Sequence, residues 1–162
     1  MRSMIGDYYR LIRVKHYIKN LLVFLPIVFS GNLFVPSYLW KTILGFFTFS
    51  LGASAVYIFN DICDLNNDEN HSDKKNRPIA SKRISVRNAS VLAVVLVILS
   101  VTLQILAFDS FSGILYLGIY ILINCFYSLG LKNVPLVDVS IIVAGFILRV
   151  VFGGVINDIP IS

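Results

Sequence analysis

Long apolar runs occupy most of this sequence, and the length of a run decides which solvent it can live in. About 20 consecutive apolar residues span a bilayer as a helix, within a tolerated range of roughly 17–25. Residues 38–59, 89–108, 111–129 and 136–156 meet that length, and residues 21–35, interrupted by Pro26 and Gly31, approach it. The 162-residue chain is 57% hydrophobic and 14% charged, with a mean hydropathy of +0.80. Soluble domains use about 45–50% apolar and about 25% charged residues. One core of this size cannot hide so much apolar surface, so lipid is its main solvent. Disordered, disulfide-scaffold and coiled-coil architectures are excluded by the same composition. The expected fold class is all-α, a polytopic membrane helical bundle with about five transmembrane helices, forming a single membrane domain over 1–162.

The charged residues are few and clustered, which orients the bundle. Fourteen Lys and Arg against nine Asp and Glu give a net charge of +5. No nucleic acid is expected as a partner, because base contacts need a water-facing surface that the chain lacks. In a membrane protein, basic loops mark the cytoplasmic side and meet the headgroups of membrane lipids. Residues 1–19 hold Arg2, Arg10, Arg13, Lys15 and Lys19; the loop after the second run holds Lys74, Lys75, Arg77, Lys82, Arg83 and Arg87; Lys132 follows the fourth run. The intervening turns at 31–37 and 109–110 have no basic residue. All three basic regions therefore share one side. The chain is expected in a bacterial-type plasma (inner) membrane, with its N-terminus and the 60–87 loop cytoplasmic. Before the first run, Met4, Tyr8, Leu11 and Ile12 recur at helical spacing among Arg10, Arg13 and Lys15, which makes 1–19 an amphipathic interfacial segment. The run after it lacks a small-residue cleavage site, so the segment is expected to be retained. Cys63 lies in a polar loop and Cys125 in an apolar run, and two such thiols make no disulfide framework.

The 60–87 loop contains five of the nine acidic residues and six of the fourteen basic ones. It opens Asn60-Asp61-Ile62-Cys63-Asp64-Leu65-Asn66-Asn67-Asp68. If the second helix continues past the membrane face, Asp61, Asp64 and Asp68 stand at i, i+3 and i+7, within roughly 60° of one another at about 100° per residue. Three carboxylates on one stripe, at a helix end whose dipole disfavours negative charge, repel unless a cation sits among them. Oxygen ligands without His or Cys suit a hard ion such as Mg2+, which binds through one or two carboxylates plus substrate phosphates. The sign then reverses in Asp73-Lys74-Lys75-Asn76-Arg77-Pro78. Arg offers a planar fork, and Lys a point charge, for phosphate oxygens. Carboxylates for a metal followed by cations for phosphate are what a diphosphate-releasing reaction needs. The competing reading is a solvated loop whose bases mark the cytoplasm and whose acids are incidental. Asp138 and Arg149, on the last run, are further candidates because charges inside membrane segments are functional by default.

Asn60-Asp61-x-x-Asp64-x-x-x-Asp68, followed by Lys74-x-x-Arg77-Pro78-Ile79, resembles the first aspartate-rich motif of the UbiA superfamily of intramembrane prenyltransferases. Arg13-Val14-Lys15-His16-Tyr17-Ile18-Lys19-Asn20, Tyr127-Ser128-x-x-Leu131-Lys132-x-x-Pro135-x-x-Asp138 and Gly145-Phe146-x-x-Arg149 resemble its decaprenyl-phosphate phosphoribosyltransferase-like branch. The resemblance covers nearly the whole chain from residue 8 onward. It implies Mg2+-dependent transfer of 5-phosphoribose from phosphoribosyl diphosphate to a polyprenyl phosphate, releasing diphosphate, in the synthesis of an envelope arabinose precursor. On the matching positions, Asp61, Asp64 and Asp68 would be catalytic metal ligands with Asn60 beside them. Lys74 and Arg77 would grip phosphate, and Lys15, Lys19, Asn20, Tyr127 and Lys132 would line the cytoplasmic mouth. Val14 and Tyr17 replace the usual Pro and Trp, and Lys82 stands where Gly is common. The superfamily resembles a bundle of nine membrane helices with a second aspartate-rich motif in its later half. No residue after Asp138 supplies that motif, since Asp158 follows the last run and should face outward. The chain therefore resembles the N-terminal part of a longer enzyme and is expected not to turn over alone.

Two other functions compete. Prenyl transfer from a prenyl diphosphate to an aromatic acceptor, a quinone or haem precursor, would use the same loop chemistry and differs only in the branch-specific stretches. A non-catalytic membrane scaffold or a transporter would also carry a charged loop. Transporters, however, place charges near the midplane, whereas these concentrate at one face.

Overall fold

Backbone N–H and C=O groups placed in lipid must find partners within the chain, so each apolar run becomes a helix. The computed structural model describes residues 4–108 and 111–161, and Arg2 and the 109–110 turn lie outside them. Seven α-helices follow in order: α1 (Met4–Leu11), α2 (Leu25–Phe29), α3 (Pro36–Cys63), α4 (Leu65–Glu69), α5 (Val86–Ala107), α6 (Phe111–Leu129) and α7 (Pro135–Val155). Of these, α3, α5, α6 and α7 are long and apolar enough to cross a membrane, and the chain is an integral membrane protein. Pro36 and Pro135 open α3 and α7 after extended Val35 and Val134, the position where a missing N–H costs least. The Ser85 hydroxyl caps α5 by accepting from the Asn88 N–H at 3.2 Å.

The first run is built differently from the expectation for residues 21–35. Helix begins at Val14 and winds as a 3₁₀ helix to Phe24. It continues as α2 to Phe29 and stops at a turn where Gly31 has φ +75°. Residues 30–35 are therefore connection, and the interfacial helix of the 1–19 segment is confined to α1. A 3₁₀ helix rises ~2.0 Å per residue against ~1.5 Å in an α-helix, so residues 14–29 cover about 30 Å, a bilayer's hydrocarbon thickness. Long 3₁₀ runs are uncommon, and their side chains eclipse every third residue. Here that period is used: Tyr17, Asn20 and Val23 form one edge. Tyr17 shares a hydrogen bond with Ser54 at 2.9 Å, Asn20 Nδ2 donates to Ser50 Oγ at 2.9 Å, and Val23 is buried against α7.

Helix α3 is the axle of the bundle. Its buried face carries Gly45, Gly52, Ala53, Ser54 and Ala55, small residues that let neighbouring backbones approach where lipid supplies no hydrophobic drive. From α5, Ser100 Oγ donates to the Thr48 carbonyl at 2.7 Å. Phe49 stacks on Tyr120 of α6 at 4.5 Å and on Phe152 of α7 at 5.3 Å. Asn157 Nδ2 reaches Thr42 Oγ1 at 2.9 Å near the other end of α3. Val94, Ile98, Leu122, Val143 and Ile147 remain exposed on the outward faces of α5, α6 and α7, as lipid contact requires.

With 28 residues, α3 is about 42 Å long at ~1.5 Å per residue and outruns the ~30 Å hydrocarbon core. Its final turns thus bring Asn60 and Asp61 to one face of the bundle. The loop beyond is no free solvated excursion. Ile79 and Ile84 are buried with Leu11, Ile58, Ala89 and Leu96. Arg83 ties the loop to α1 by donating to Asp7 at 2.9 Å and to the Asn76 carbonyl at 2.7 Å.

Three substitutions test this packing. A Cβ at Gly153 would overlap the Val23 carbonyl, so Gly153→Ala should destabilise by about 1–3 kcal/mol, read as a lower Tm in detergent. Gly118→Ala, whose Cβ meets nothing within 4 Å, should be neutral or slightly stabilising. Lys82 adopts φ 59°, left-handed backbone that disfavours any Cβ, and its exposed ammonium lies 3.8 Å from Glu69. Lys82→Gly should therefore stabilise by about 0.5–1 kcal/mol, the relief of strain outweighing added chain entropy; an unchanged Tm would count against strain there.

Candidate active site

Segments far apart in sequence meet at the end of α3. Asp61 is only 3% exposed, and its Oδ1 accepts from two guanidiniums. One is that of Arg13, which follows α1 in left-handed backbone at φ 54°; the other is that of Arg77, at 3.1 Å. The same Arg77 Nη1 lies 2.6 Å from Asp68 Oδ2. Burial of Pro78 and Ile79 and the bond from Ser81 Oγ to the Arg77 carbonyl at 2.7 Å hold this arginine in place. Arg13 is steadied by the Tyr57 ring, 4.9 Å from its guanidinium carbon.

Asp64 belongs to a different set of contacts. Helix α3 stops at Cys63, and Asp64, at φ −89° and ψ 3°, occupies the break before α4. The expected single stripe of Asp61, Asp64 and Asp68 is therefore not formed. Asp64 pairs with Lys132 from the turn between α6 and α7 and accepts from Asn60 Nδ2 at 3.1 Å. Ser128 Oγ donates in turn to Asn60 Oδ1 at 3.1 Å. The physical reason is that basic partners relieve the repulsion which a continuous stripe would leave to a metal. Among the described residues no three His, Cys, Asp or Glu side chains converge as a metal cage. The donors nevertheless fit Mg2+. They are all oxygen, and Asp61 and Asp68 sit close enough to share one guanidinium nitrogen. Such a pair suits an ion that takes one or two carboxylates and completes its shell with substrate phosphates.

Two cavities flank this network. The outer, of about 710 Å3, is bordered by Arg10, Arg13, Lys15 and Arg77 against Asp61 and Asp73, so four cations face two carboxylates. The inner, of about 250 Å3, is lined by Lys19, Asn60, Tyr120, Asn124, Tyr127 and Arg149 together with apolar side chains of α7. Arg13 borders both, and the consecutive Asn60 and Asp61 serve opposite cavities.

The residues named from the sequence thus distribute unevenly. Lys15 borders the outer cavity, Lys19 and Tyr127 the inner one, and Lys132 rests on Asp64. Asn20 is a buried strut, donating to Ser50 and accepting from Arg149 Nε at 2.8 Å. Lys74 is exposed on a short 3₁₀ turn and borders neither cavity. Sequence reasoning missed Arg13 and Ser128 as site residues. Both lay inside recognised motifs, but their partners are 48 and 68 residues away, and only the folded chain brings them together.

The chain is similar to curated proteins over nearly its whole length. It is 35% identical over 153 residues to a decaprenyl-phosphate phosphoribosyltransferase of Corynebacterium glutamicum, covering 93% of this chain and 46% of that protein. It is 30% identical over 165 residues to the protein of the same name from Mycolicibacterium smegmatis, covering 99% and 51%. The chain thus spans about half the length of the curated relatives it matches. A solved structure from work on digeranylgeranylglyceryl phosphate synthase in membranes superposes with a TM-score of 0.82 at 22% identity, over 96% of this chain and 54% of that one, a likeness of fold. Residues 21–159, which include all three carboxylates, Arg77 and the α6 and α7 walls of the inner cavity, match the UbiA prenyltransferase family, and the chain belongs to it.

Proposed function

We propose that the full-length protein is a transferase that moves 5-phosphoribose from phosphoribosyl diphosphate onto a polyprenyl phosphate in a bacterial inner membrane, with Mg2+ as its cofactor, supplying an envelope arabinose precursor. The observation that supports this most is the meeting of carboxylates with phosphate-binding cations around Asp61, on a wall between two cavities. The relatives named decaprenyl-phosphate phosphoribosyltransferase support the choice of donor and acceptor.

In this reading the donor occupies the outer cavity, with its diphosphate toward Arg77 and Lys15. Asp61 and Asp68 would hold Mg2+, which would neutralise charge on the departing diphosphate, with Asp64 beside them on Lys132. Arg77 keeps Asp61 and Asp68 together and has further N–H groups to donate to phosphate oxygens. Lys132 and Asn60 fix the orientation of the Asp64 carboxylate. The C1–O bond to diphosphate breaks with its electron pair leaving on diphosphate, and positive charge develops at C1. An oxygen of the lipid phosphate supplies the pair for the new C1–O bond. No proton need move when that phosphate is a dianion, so the chain's contribution is positioning and electrostatics. The N-terminus and the 60–87 loop face the cytoplasm, where a soluble diphosphate donor is available.

Membranes containing the full-length reading frame should transfer label from phosphoribosyl diphosphate into lipid when Mg2+ is present and lose that activity in EDTA. Asp61→Asn and Asp64→Asn should each lower the rate about 100-fold or more. Turnover only with a prenyl diphosphate and an aromatic acid would overturn the reading in favour of the sister prenyl transfer. Orientation is checked with single cysteines in a Cys63→Ser, Cys125→Ser background. An impermeant maleimide should label Ser37→Cys in intact cells and Ser72→Cys only after the membrane is opened, both positions being exposed; the reverse pattern would invert the topology.

A further inference from the structure

Arg149 lies well inside α7 and is 5% exposed. All of its partners are neutral: Nε donates to Asn20 Oδ1 at 2.8 Å, Nη2 to the Tyr120 hydroxyl at 3.1 Å, and Nη1 to the Gly145 carbonyl. The rings of Tyr120 and Phe49 stand 4.9 and 5.2 Å from its guanidinium carbon. These contacts orient the charge without cancelling it. Among the described residues no carboxylate lies within ion-pair distance of Arg149, because Asp61 is taken by Arg13 and Arg77 and Asp64 by Lys132. A buried guanidinium without a counter-charge is costly, and such charges in membrane segments mark functional sites.

The inner cavity is where that charge can be used. Lys19, also without a carboxylate partner among the described residues, borders it together with Arg149. Apolar side chains share the lining, Ile141, Ile142 and Phe146 of α7 among them, and Ile142 is 49% exposed. Cations and apolar side chains of a membrane-spanning helix in one cavity match an anionic head on an apolar tail. We propose that the inner cavity seats the phosphate monoester head of a membrane-borne amphiphile, with Arg149 and Lys19 as its ligands. Its identification with the acceptor of phosphoribosyl transfer rests on the function proposed above, whereas the seat itself does not. Arg13, bordering both cavities, then stands between acceptor phosphate and donor.

The test is equilibrium binding of polyprenyl phosphate to the full-length protein in lipid nanodiscs, without donor, beside a polyprenol of equal chain length. Lys19→Met and Arg149→Met should each weaken polyprenyl phosphate binding about tenfold or more, as loss of a charge-assisted bond predicts. Polyprenol binding and the donor's KM should not change, and Arg149→Lys should restore part of the loss. Lys19 is exposed, so its variant keeps the test decisive if Arg149→Met fails to fold. Unchanged polyprenyl phosphate binding in Lys19→Met overturns the proposal. A raised donor KM with intact lipid binding overturns it too, by assigning the cavity to the donor's own phosphate. Charge-dependent lipid binding in a protein that transfers no phosphoribose would keep the seat and remove the phosphoribosyl reading.

Discussion

The membrane-face end of this bundle depends on the compensation of Asp61. A carboxylate with 3% exposure cannot stay ionised in a low-dielectric setting without partners, and removing one partner of such a pair typically costs about 3–5 kcal/mol. Arg13 arrives from the N-terminal side and Arg77 from the loop after α3. Through Arg77 the contact extends to Asp68 and so to α4. Desolvation offsets much of the Coulomb gain in such networks, so their effect is register more than net stability. They fix which turns of α1, α3, α4 and the loop face the cavities.

Deeper in the bundle, specificity rests on contact distance. Gly45, Gly52 and Gly153 are positions where an added Cβ would press on a neighbouring helix or segment. Hydrogen bonds from Ser50 and Ser54 reach the 14–24 segment, that of the Thr48 carbonyl reaches α5, and that of Thr42 reaches Asn157. Each such bond in a membrane protein contributes modestly, about 0.6 kcal/mol on average. Close backbone approach therefore decides the arrangement, and the polar pairs set its register.

Much of the architecture was legible because lipid imposes length. The boundaries of the second to fifth runs fall within a few residues of α3, α5, α6 and α7. Residues 14–29 were less legible, since a 3₁₀ winding spans the same thickness with fewer residues and obscures the α-helical count. Lys82 was noted as an unusual residue, and its left-handed backbone explains why glycine suits that place. The carboxylate spacing anticipated the meeting of Asp61 and Asp68, which share Arg77, but not the separate pairing of Asp64. Periodicity assumes an unbroken helix, and neither the break at Asp64 nor its pairing with Lys132, 68 residues away, is contained in a local pattern. Arg149 was conspicuous as a charge in an apolar run, yet the neutral character of its partners is a tertiary fact.

Among the described residues Arg13 is the wall residue common to the cation-rich cavity and to the cavity lined in part by apolar side chains of α7. Its guanidinium has one position at a time, on Asp61 or displaced from it. Occupancy of either compartment that moves this group changes the electrostatic field of the other. Two ligands seated as proposed above would therefore be thermodynamically linked, and linkage is reciprocal: the factor by which the first alters affinity for the second equals the factor in the reverse direction. Cooperativity between a water-soluble and a lipid-soluble ligand then requires no hinge or domain motion, only the swing of one side chain.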